Sequence, residues 1–463
     1  MIKKTLKSKV SGKIEDSNIK NPKIEKILDA ARKEIRPDLK VLDDVRSIVD
    51  KINSLLKKSS LDAMCVPGGS LAKGTFLKDD YDIDLFIRFN PSYEDDRISD
   101  LTETVLKPLC KSLKAKLERV HGSRDYFQFN MQKGKKILSF EVIPVMLVHM
   151  ENYHEARNIT DLSPEHVEWV KKYTSKNPKL VDDIRLAKQF CKANKVYGAE
   201  SYINGFSGHI LDILIIHYGS FVNLLQHFGR LSGDDLKKPI IIDTEKNLVN
   251  PLKQLNASKI TPLIIVDPIQ KDRNSAAALS KERLLMFIVA SKRFLEKPDK
   301  DFFEIKEFNM ENEIKDSLKS SKVNIKDVTV ARIDIETLDG SKDVVGTKVL
   351  KVYEAMIEHS KKYGFHIIAS DWNFMSEEKR AIAYIICENK ISRDVLQQGP
   401  PVDSTANYDV FIDKHKKAGH KTFVKDNRAY AVMPRKYLDI RSYITDLCRQ
   451  EFIDRRIKKI FIR

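Results

Sequence analysis

The sequence predicts an α+β protein of several domains, and three observations lead to this prediction. The chain has 463 residues, which at about 100 to 200 residues per domain suggests about three or four domains. Its first third alternates strand-like and helix-like segments, the next stretch is mainly helical, and a later stretch has a β-α-β-β order. Hydrophobic residues make up 42% of the chain, which is enough to bury several cores.

The first domain is predicted to have two amphipathic helices followed by a mixed or antiparallel sheet. Apolar residues recur at helical spacing over 24–35 and 41–55, and Pro37 separates the two runs. A helix is also predicted over 98–117. Strand-like segments are 63–66, 81–89, 126–131 and 137–148.

The rest of the chain is predicted to be helical first and mixed later. Ser163 is the expected N-cap of a helix with Pro164 at its first position. Further helices are predicted over 181–194, 208–225, 275–294 and 345–361. The predicted strands are 263–266, 324–337, 364–370 and 382–387, and the last three, with the helix at 345–361, form a small β-α-β-β sheet.

Several features favour a cytoplasmic protein without a membrane span. The longest apolar run, 210–225, is interrupted by Asp212 and His217. The N-terminus has no apolar stretch behind its lysines, so no signal peptide is expected. The five cysteines are scattered and show no zinc-type spacing, which fits a reducing compartment.

The charge balance favours a polyanionic partner. Lysine and arginine number 82 against 66 aspartate and glutamate residues, which gives a net charge of +16. In a folded chain this excess is typical of nucleic-acid binding, although a basic proteome is an alternative explanation. Charge alone predicts no chemistry.

The strongest motif is a glycine-rich segment, Gly68-Gly69-Ser70-Leu71-Ala72-Lys73-Gly74-Thr75. Glycines allow the backbone to approach a phosphate closely, and Ser70 would lie at a helix N-terminus whose free amides favour an anion. We therefore expect this segment to bind phosphate.

An Asp-x-Asp pair follows on an apolar strand. Asp82 and Asp84 are two residues apart, so both carboxylates project from one face, where they can share divalent cations. Glu141, a charge within a hydrophobic strand, is the candidate third carboxylate. Three carboxylates beside a phosphate-binding segment predict two-metal phosphoryl transfer.

The Gly-Ser and Asp-x-Asp pattern resembles the nucleotidyltransferase superfamily that includes DNA polymerase beta. The longer form, with Lys73-Gly74-Thr75 and Leu85-Phe86, looks like the archaeal-type (class I) CCA-adding enzymes. Further elements extend this resemblance over about 40–435. These are Thr160-Asp161-Leu162-Ser163-Pro164-Glu165-His166, Val196-Tyr197-Gly198-Ala199-Glu200, Asp267-Pro268, Arg273-Asn274-Ser275-Ala276-Ala277 and Gly399-Pro400-Pro401-Val402.

The resemblance implies a nucleotidyltransferase head, a helical neck, an α+β body and a small tail. The expected ranges are a mobile N-terminal extension at 1–21, the catalytic head at 22–157, the nucleotide-binding neck at 158–258, the body at 259–299 and 393–463, and the tRNA-binding tail at 300–392.

The resemblance also implies a role for each matching residue. Asp82, Asp84 and Glu141 would be the catalytic ligands of two Mg²⁺ ions, although the family usually has aspartate at the position of Glu141. The implied nucleotide-binding residues are Gly69, Ser70, Lys73, His166, Lys188, Tyr197, Arg273 and Asn274. Of these, Ser70, Lys73, Lys188 and Tyr197 would contact the triphosphate, and Arg273 would read the base edge with help from Asn274.

Two departures from the family are visible. Lys73 stands where arginine is common, which supplies charge without a bidentate fork. Ser123-Arg124-Asp125-Tyr126 replaces a His-Pro-Tyr-like segment, and of these residues only Tyr126 can be mapped. The contacts expected there with the primer strand are therefore open.

The function implied is untemplated addition of CCA to the 3′ end of tRNA from CTP and ATP, with pyrophosphate released. The acceptor and T-stem of tRNA would be the main partner, with the basic stretch 455–459 as an added phosphate contact, and a homodimer is an open option. The alternatives are a poly(A) or poly(U) polymerase, a catalytically inactive tRNA-binding relative, and a small-molecule nucleotidyltransferase, which the charge and the extra domains disfavour.

Overall fold

The computed structural model describes residues 21–134 and 136–463, and contacts divide the chain into two units, 1–306 and 307–463. The predicted α+β architecture is confirmed. The expected extension at 1–21 lies outside the described residues except for Asn21, whose side chain caps the first helix by accepting from the backbone N–H of Lys23.

The first unit begins with a head in which helices surround a sheet. Its elements are α1 (Pro22–Ile35), α2 (Val41–Lys58), β1 (Ala63–Pro67), α3 (Gly69–Ala72), β2 (Asp82–Phe89), α4 (Arg97–Leu113), β3 (Glu118–Val120), β4 (Tyr126–Lys133) and β5 (Lys136–Met146). The strand order is β1-β2-β5-β4-β3. β2 and β5 are parallel, whereas the other neighbours are antiparallel, so the sheet is mixed as predicted.

The rest of the first unit is mainly helical. Its elements are α5 (Ser163–Thr174), α6 (Lys179–Ala193), α7 (Gly208–Tyr218), α8 (Phe221–Gly229), β6 (Ile240–Ile242), α9 (Pro251–Gln254), β7 (Leu263–Ile265) and α10 (Lys281–Glu296). Ser163 is the first residue of α5 rather than its cap, because a 3-10 turn precedes it and Asn158 caps that turn. Pro164 lies in the first turn, as predicted.

The helix predicted over 208–225 is wrong, because two helices meet there at a sharp bend. Gly219 ends α7 in the left-handed region, with φ of 75°, and the Ser220 side chain caps α8. Among the described residues, no single helix is long and apolar enough to cross a membrane. α7 and α8 reach that threshold only together, and they are bent by 92°.

One hydrophobic core runs through the first unit and joins the sheet of the head to the helices that follow. α6 lies at the centre of it, where Phe190 packs against Phe221, Phe287 and Phe294. The other side of α6 faces the segment after α3, where Arg185 donates to the backbone oxygens of Gly74 and Phe76. The core therefore fixes α6 against the loop between β1 and β2.

The second unit contains two sheets. Its elements are α11 (Met310–Ser321), β8 (Val328–Glu336), α12 (Lys342–Tyr363), β9 (Ile367–Met375), β10 (Arg380–Glu388), β11 (Asp394–Pro401), α13 (Thr405–Lys417), β12 (Lys421–Lys425), β13 (Arg428–Pro434), α14 (Ile440–Leu447), α15 (Glu451–Asp454) and β14 (Lys459–Ile462). The strand orders are β14-β8-β10-β9 and β11-β13-β12. The predicted β-α-β-β order is present as β8-α12-β9-β10.

These contacts group the chain differently from the expected domain ranges. Residues 259–299 lie in the first unit, although the expectation placed them in a body together with 393–463. β14, near the end of the chain, pairs with β8, which joins the expected second part of the body to the sheet of the expected tail. The ranges of the neck, body and tail that the resemblance implies therefore stay a prediction.

Candidate functional site

Two neighbouring parallel strands carry the three carboxylates. β2 begins at Asp82 and has Asp84 two residues later, and β5 carries Glu141. Asp84 lies directly opposite Glu141 in the register of the two strands. Because alternate residues of a strand share one face, Asp82 and Asp84 project to the same side of β2. The fold therefore brings the three carboxylates to one part of the sheet.

The pKa of Asp84 reflects the crowding of negative charge. It is raised to about 6, first by burial and then by the charges of Glu141 and Asp82, while Lys73 and Lys188 act in the opposite direction. A cation beside Asp84 would relieve this repulsion. Carboxylate oxygens are hard donors of the kind that Mg²⁺ prefers, so the residues present fit a divalent metal site.

Gln128, on β4, fixes one oxygen of Glu141. Its Nε2 donates to Glu141 Oε1 at 2.6 Å, and the two residues are direct partners in the β4–β5 register. Its only signal in the sequence is a polar side chain between Phe127 and Phe129, which does not by itself predict a role at the site. Tyr126 begins the same strand, and burial together with the charge of Glu141 raises its pKa.

The glycine-rich segment is tied to the strand that carries the carboxylates. The backbone N–H of Gly68 donates to the backbone oxygen of Asp84 at 2.8 Å. Gly69 has φ of 52°, and a methyl group on it would lie 1.6 Å from Asp84 Oδ2. Ser70 follows, half-buried, in α3. Only glycine fits at position 69 without displacing the carboxylate.

Lys188 and Tyr197 approach this loop from the helical part of the unit. Lys188 Nζ donates to both Thr75 O and Thr75 Oγ1 at 3.1 Å. Burial lowers the pKa of Lys188 to about 8, and burial raises the pKa of the Tyr197 phenol well above its usual range. A methyl group on Gly208 would lie 3.3 Å from Tyr197 Oη and 3.7 Å from Lys188 Nζ. The two side chains therefore meet at the start of α7.

Lys73 forms an ion pair with a buried carboxylate of α7. Its Nζ donates to Asp212 Oδ2 at 2.5 Å, and the side chains of Lys73 and Asp212 are 10% and 0% exposed. In the sequence, Asp212 is visible only as an interruption of an apolar run. A charge inside such a run was the available signal, because a buried carboxylate requires a partner.

Asp267 is the centre of a hydrogen-bonded cluster that sequence analysis did not anticipate. Its Oδ1 accepts from His166 Nε2 at 2.8 Å, and its Oδ2 accepts from Ser275 Oγ at 3.0 Å and from His209 Nε2 at 3.4 Å. Although burial raises the pKa of Asp267, the two histidines hold it well below its usual range. Burial, with the charge of His166, lowers the pKa of His209 to about 4, so His209 is neutral at pH 7.

The same carboxylate orients Arg273 but not Asn274. Arg273 Nη1 donates to Asp267 Oδ2 at 3.3 Å, and the arginine side chain remains 35% exposed. Asn274 is 3% exposed, and its Oδ1 accepts from the backbone N–H groups of Ile265 and Ala276, both at 2.9 Å. Arg273 is thus available to a ligand, whereas the carbonyl of Asn274 already serves the fold.

His166, His209 and Asp267 also form a group of metal-type donors whose ligand atoms lie within 4.8 Å of one another. The guanidinium of Arg273 and the hydroxyl of Ser275 already occupy the neighbourhood of Asp267 Oδ2. Positive charge beside a carboxylate disfavours a further cation. We therefore interpret this group as a hydrogen-bonded support for His166 and Arg273.

The segment before β4 uses its charged residues to hold the fold. Arg124 is buried and pairs with Asp161 and Asp95. Asp125 Oδ2 accepts from Arg119 Nε at 2.6 Å. These side chains are engaged within the first unit, so the departure from the family pattern supplies internal ion pairs.

Three family descriptions match successive parts of the chain. "Nucleotidyltransferase domain" matches residues 45–188, which include the carboxylates and the glycine-rich loop. "tRNA nucleotidyltransferase, second domain" matches residues 182–304, and "CCA-adding enzyme, C-terminal domain" matches residues 328–457.

Curated relatives extend this match to nearly the full length. A CCA-adding enzyme of Nanoarchaeum equitans is 30% identical over 423 residues, which cover 89% of this chain and 95% of that protein. This chain belongs to the CCA-adding enzyme family. A second CCA-adding enzyme, from Methanocaldococcus jannaschii, is 29% identical and covers 92% of this chain and 90% of that protein.

Solved structures bear on the fold alone. A crystal structure of the Cid1 poly(U) polymerase matches with a TM-score of 0.50 and 14% identity, over 61% of this chain and 98% of that chain. The likeness covers less of this chain than the CCA-adding enzymes do. It supports the nucleotidyltransferase fold predicted from the Asp-x-Asp pattern.

Proposed function

We propose that this protein adds C, C and A without a template to the 3′ end of tRNA, using CTP and ATP and releasing pyrophosphate. One observation carries the proposal: Asp82, Asp84 and Glu141 meet on β2 and β5 beside the Gly69 loop, in a chain of the CCA-adding enzyme family. The family match to the C-terminal domain, over 328–457, supports tRNA as the substrate.

Asp82, Asp84 and Glu141 would hold two Mg²⁺ ions. When bound, such ions increase the acidity of the attacking ribose hydroxyl and stabilise charge on the transferred and leaving phosphates. Gln128 keeps one oxygen of Glu141 in place, which compensates for the extra methylene that glutamate has relative to aspartate. The raised pKa of Asp84 supports this role, because the carboxylate gains most from a neighbouring positive charge.

The triphosphate would lie against the loop and the start of α7. Ser70 and Lys73 would contact it from the loop, and Lys188 and Tyr197 from the helical part of the unit. A buried ammonium and a phenol hydroxyl stabilise the negative charge that develops on the leaving pyrophosphate. The hydrogen bonds from Lys188 to Thr75 support this arrangement, because they hold its Nζ at the loop.

Arg273 and His166 would contact the nucleotide away from its triphosphate. Arg273 would donate hydrogen bonds to the edge of the incoming cytosine or adenine, and Asp267 would hold both Arg273 and His166 in position. Asn274 would act indirectly, because it anchors the segment that carries Arg273.

The acceptor and T-stem of tRNA would be bound by phosphate and 2′-hydroxyl contacts, as is usual for A-form RNA. The net charge of +16 supports such binding. In the basic stretch 455–459, Arg455 pairs with Glu451 and Arg456 lies over the ring of Phe452.

All five cysteines are unpaired and buried, which fits the cytoplasm as the location.

The test uses tRNA transcripts that lack the last one, two or three nucleotides of the CCA end, with Mg²⁺ and either CTP or ATP. CTP should extend the transcripts that lack two or three nucleotides, and ATP the transcript that lacks one. The Asp82→Ala/Asp84→Ala variant should be inactive. Long tails of A or U would favour the polymerase alternative, and tRNA binding without transfer would favour an inactive relative.

A further inference from the structure

Asp212 lies where the proposed triphosphate site meets the hydrophobic core. It belongs to α7, whose neighbouring side chains Leu211, Ile213 and Leu214 are all buried. Asp212 itself is fully buried, yet its Oδ2 accepts from Lys73 Nζ at 2.5 Å. An anion is therefore built into the protein behind a lysine of the phosphate-binding loop.

The carboxylate compensates two positive charges rather than one. Lys73 pairs with Asp212 directly. The negative charge of Asp212 also raises the pKa of Lys188, against the effect of burial, which lowers it. Its second oxygen, Oδ1, is buried and has no hydrogen-bond partner among the described residues. Buried carboxylates that serve only the fold normally accept hydrogen bonds at both oxygens. Asp212 accepts at only one, which is unusual for a purely structural group.

We propose that Asp212 is a positioning residue that competes with the triphosphate for Lys73 and thereby limits how tightly the enzyme holds nucleotide and pyrophosphate. The inference rests on the proposed function, because it requires Lys73 to contact phosphate. In the free enzyme, Lys73 is paired with Asp212. When phosphate binds, this fixed negative charge reduces the net attraction, and the pair with Lys73 is available again when pyrophosphate leaves.

The direction of the effect separates this role from a structural one. If Asp212 only held Lys73 in place, its loss would misplace the lysine and weaken phosphate binding. If it competes, removing its charge strengthens binding, because Lys73 and Lys188 then act on the phosphate without an opposing anion. Asparagine at position 212 is nearly isosteric and still accepts a hydrogen bond from Lys73.

The experiment measures binding of CTP and of inorganic pyrophosphate to the full chain by calorimetry in the presence of Mg²⁺. Asp212→Asn should bind CTP and pyrophosphate roughly tenfold more tightly than the wild type, because the substitution removes a unit of negative charge from a site shielded from water. Asp183→Asn is the matched control, since Asp183 is a buried carboxylate of the same unit that pairs instead with Arg32 at 3.5 Å. It should bind as the wild type does.

A second pair of variants tests the route through Lys73. Lys73→Met should weaken binding of both ligands. In the double variant, Asp212→Asn should strengthen binding much less, relative to Lys73→Met alone, than it does in the wild type. Unchanged binding by Lys73→Met would contradict the proposed contact of that lysine with phosphate, and with it the inference that depends on this contact. Weaker or unchanged binding by Asp212→Asn, with Lys73→Met still deleterious, would overturn the inference. If Asp212→Asn does not fold, Asp212→Ser removes the same charge and should change binding in the same direction.

Discussion

Asp84 and Glu141 are direct partners across two parallel strands, and Gln128 is the partner of Glu141 on its other side. This three-strand arrangement explains why the site is electrostatically unfavourable without a cation. The sheet fixes the carboxylates close together, so they cannot move apart to reduce their repulsion. We therefore expect the register of the strands to favour binding of a divalent cation.

Replacing Asp84 with asparagine should remove activity without loss of stability. We expect nucleotide addition by Asp84→Asn to fall at least about a hundredfold, as for loss of a group that acts on the transition state. Its melting temperature in buffer without divalent cations should equal or exceed that of the wild type, because a repulsive charge is lost. Asp234→Asn, at a side chain that is 84% exposed, should change neither property. A lower melting temperature for Asp84→Asn would contradict this explanation.

The stability of the metal-free protein should depend on pH through Asp84. Its pKa is raised from 3.8 to about 6 in the folded protein, so the folded state binds the proton more tightly than the unfolded state does. The stabilising contribution is therefore present below pH 4 and is lost as the pH rises towards 6 and beyond. Thermal melts from pH 4 to 8 should show this loss as a difference between the wild type and Asp84→Asn. Added Mg²⁺ should reduce the difference. If the wild type instead gained stability relative to Asp84→Asn as the pH rises, the pH dependence could not be assigned to a raised pKa of Asp84.

Gly69→Ala should inactivate the site by a direct collision. Its methyl group would lie 1.6 Å from Asp84 Oδ2, so the carboxylate or the loop must move. We expect a loss of activity of about a hundredfold, comparable with loss of a transition-state contact. Gly134→Ala is the control, because φ is 60° there but a methyl group would meet nothing within 4 Å. Activity of Gly69→Ala as high as that of Gly134→Ala would contradict the predicted collision with Asp84.

Nucleotide affinity should weaken at alkaline pH through Lys188. Burial lowers its pKa from 10.5 to about 8, so the ammonium that we propose to bind phosphate is lost as the pH rises above that value. The dissociation constant of CTP, measured from pH 7 to 9.5, should rise over this range in the wild type. Lys188→Met should bind more weakly and without this dependence, whereas Lys192→Met, which removes a lysine paired with Asp80, should retain it. The same dependence in Lys188→Met would assign it to another group.

Asp267→Asn should alter nucleotide choice more than the rate of transfer. The carboxylate orients Arg273 and His166 and does not lie on β2 or β5, which carry the three carboxylates proposed to be catalytic. We expect a lower ratio of kcat/KM for CTP over UTP on a tRNA that lacks its last two nucleotides. A discriminating hydrogen bond is worth about tenfold or more in this ratio. An unchanged ratio with a lower kcat would place Asp267 in the chemistry instead.

The strands of the catalytic site could be predicted because their signals are local. Asp82 and Asp84 interrupt an otherwise apolar strand, and Glu141 does the same in another, so each stands out within a few residues of sequence. Their register, and with it the contact of Gln128 with Glu141, depends on the pairing of separate strands. No pattern within one strand reports this pairing.

The buried polar residues are the part of the site that the sequence does not predict. Asp212 and Asp267 are fully buried, and the lysine and the two histidines that pair with them are distant in sequence, so their roles follow only from tertiary contacts. The break between α7 and α8 has a local signal in Gly219, which ends one helix, and Ser220, which caps the next, but the apolar residues on both sides favour one continuous helix. β11 to β13 lack a clear apolar alternation and pair with one another in a small, partly exposed sheet.

The most direct test of the proposed function is to sequence the 3′ ends of a tRNA transcript that lacks CCA after incubation with the enzyme, Mg²⁺ and all four nucleoside triphosphates. The account predicts that the products end in CCA and that addition stops there. Homopolymeric tails of A or U, or no addition by an enzyme that still binds the transcript, would contradict it.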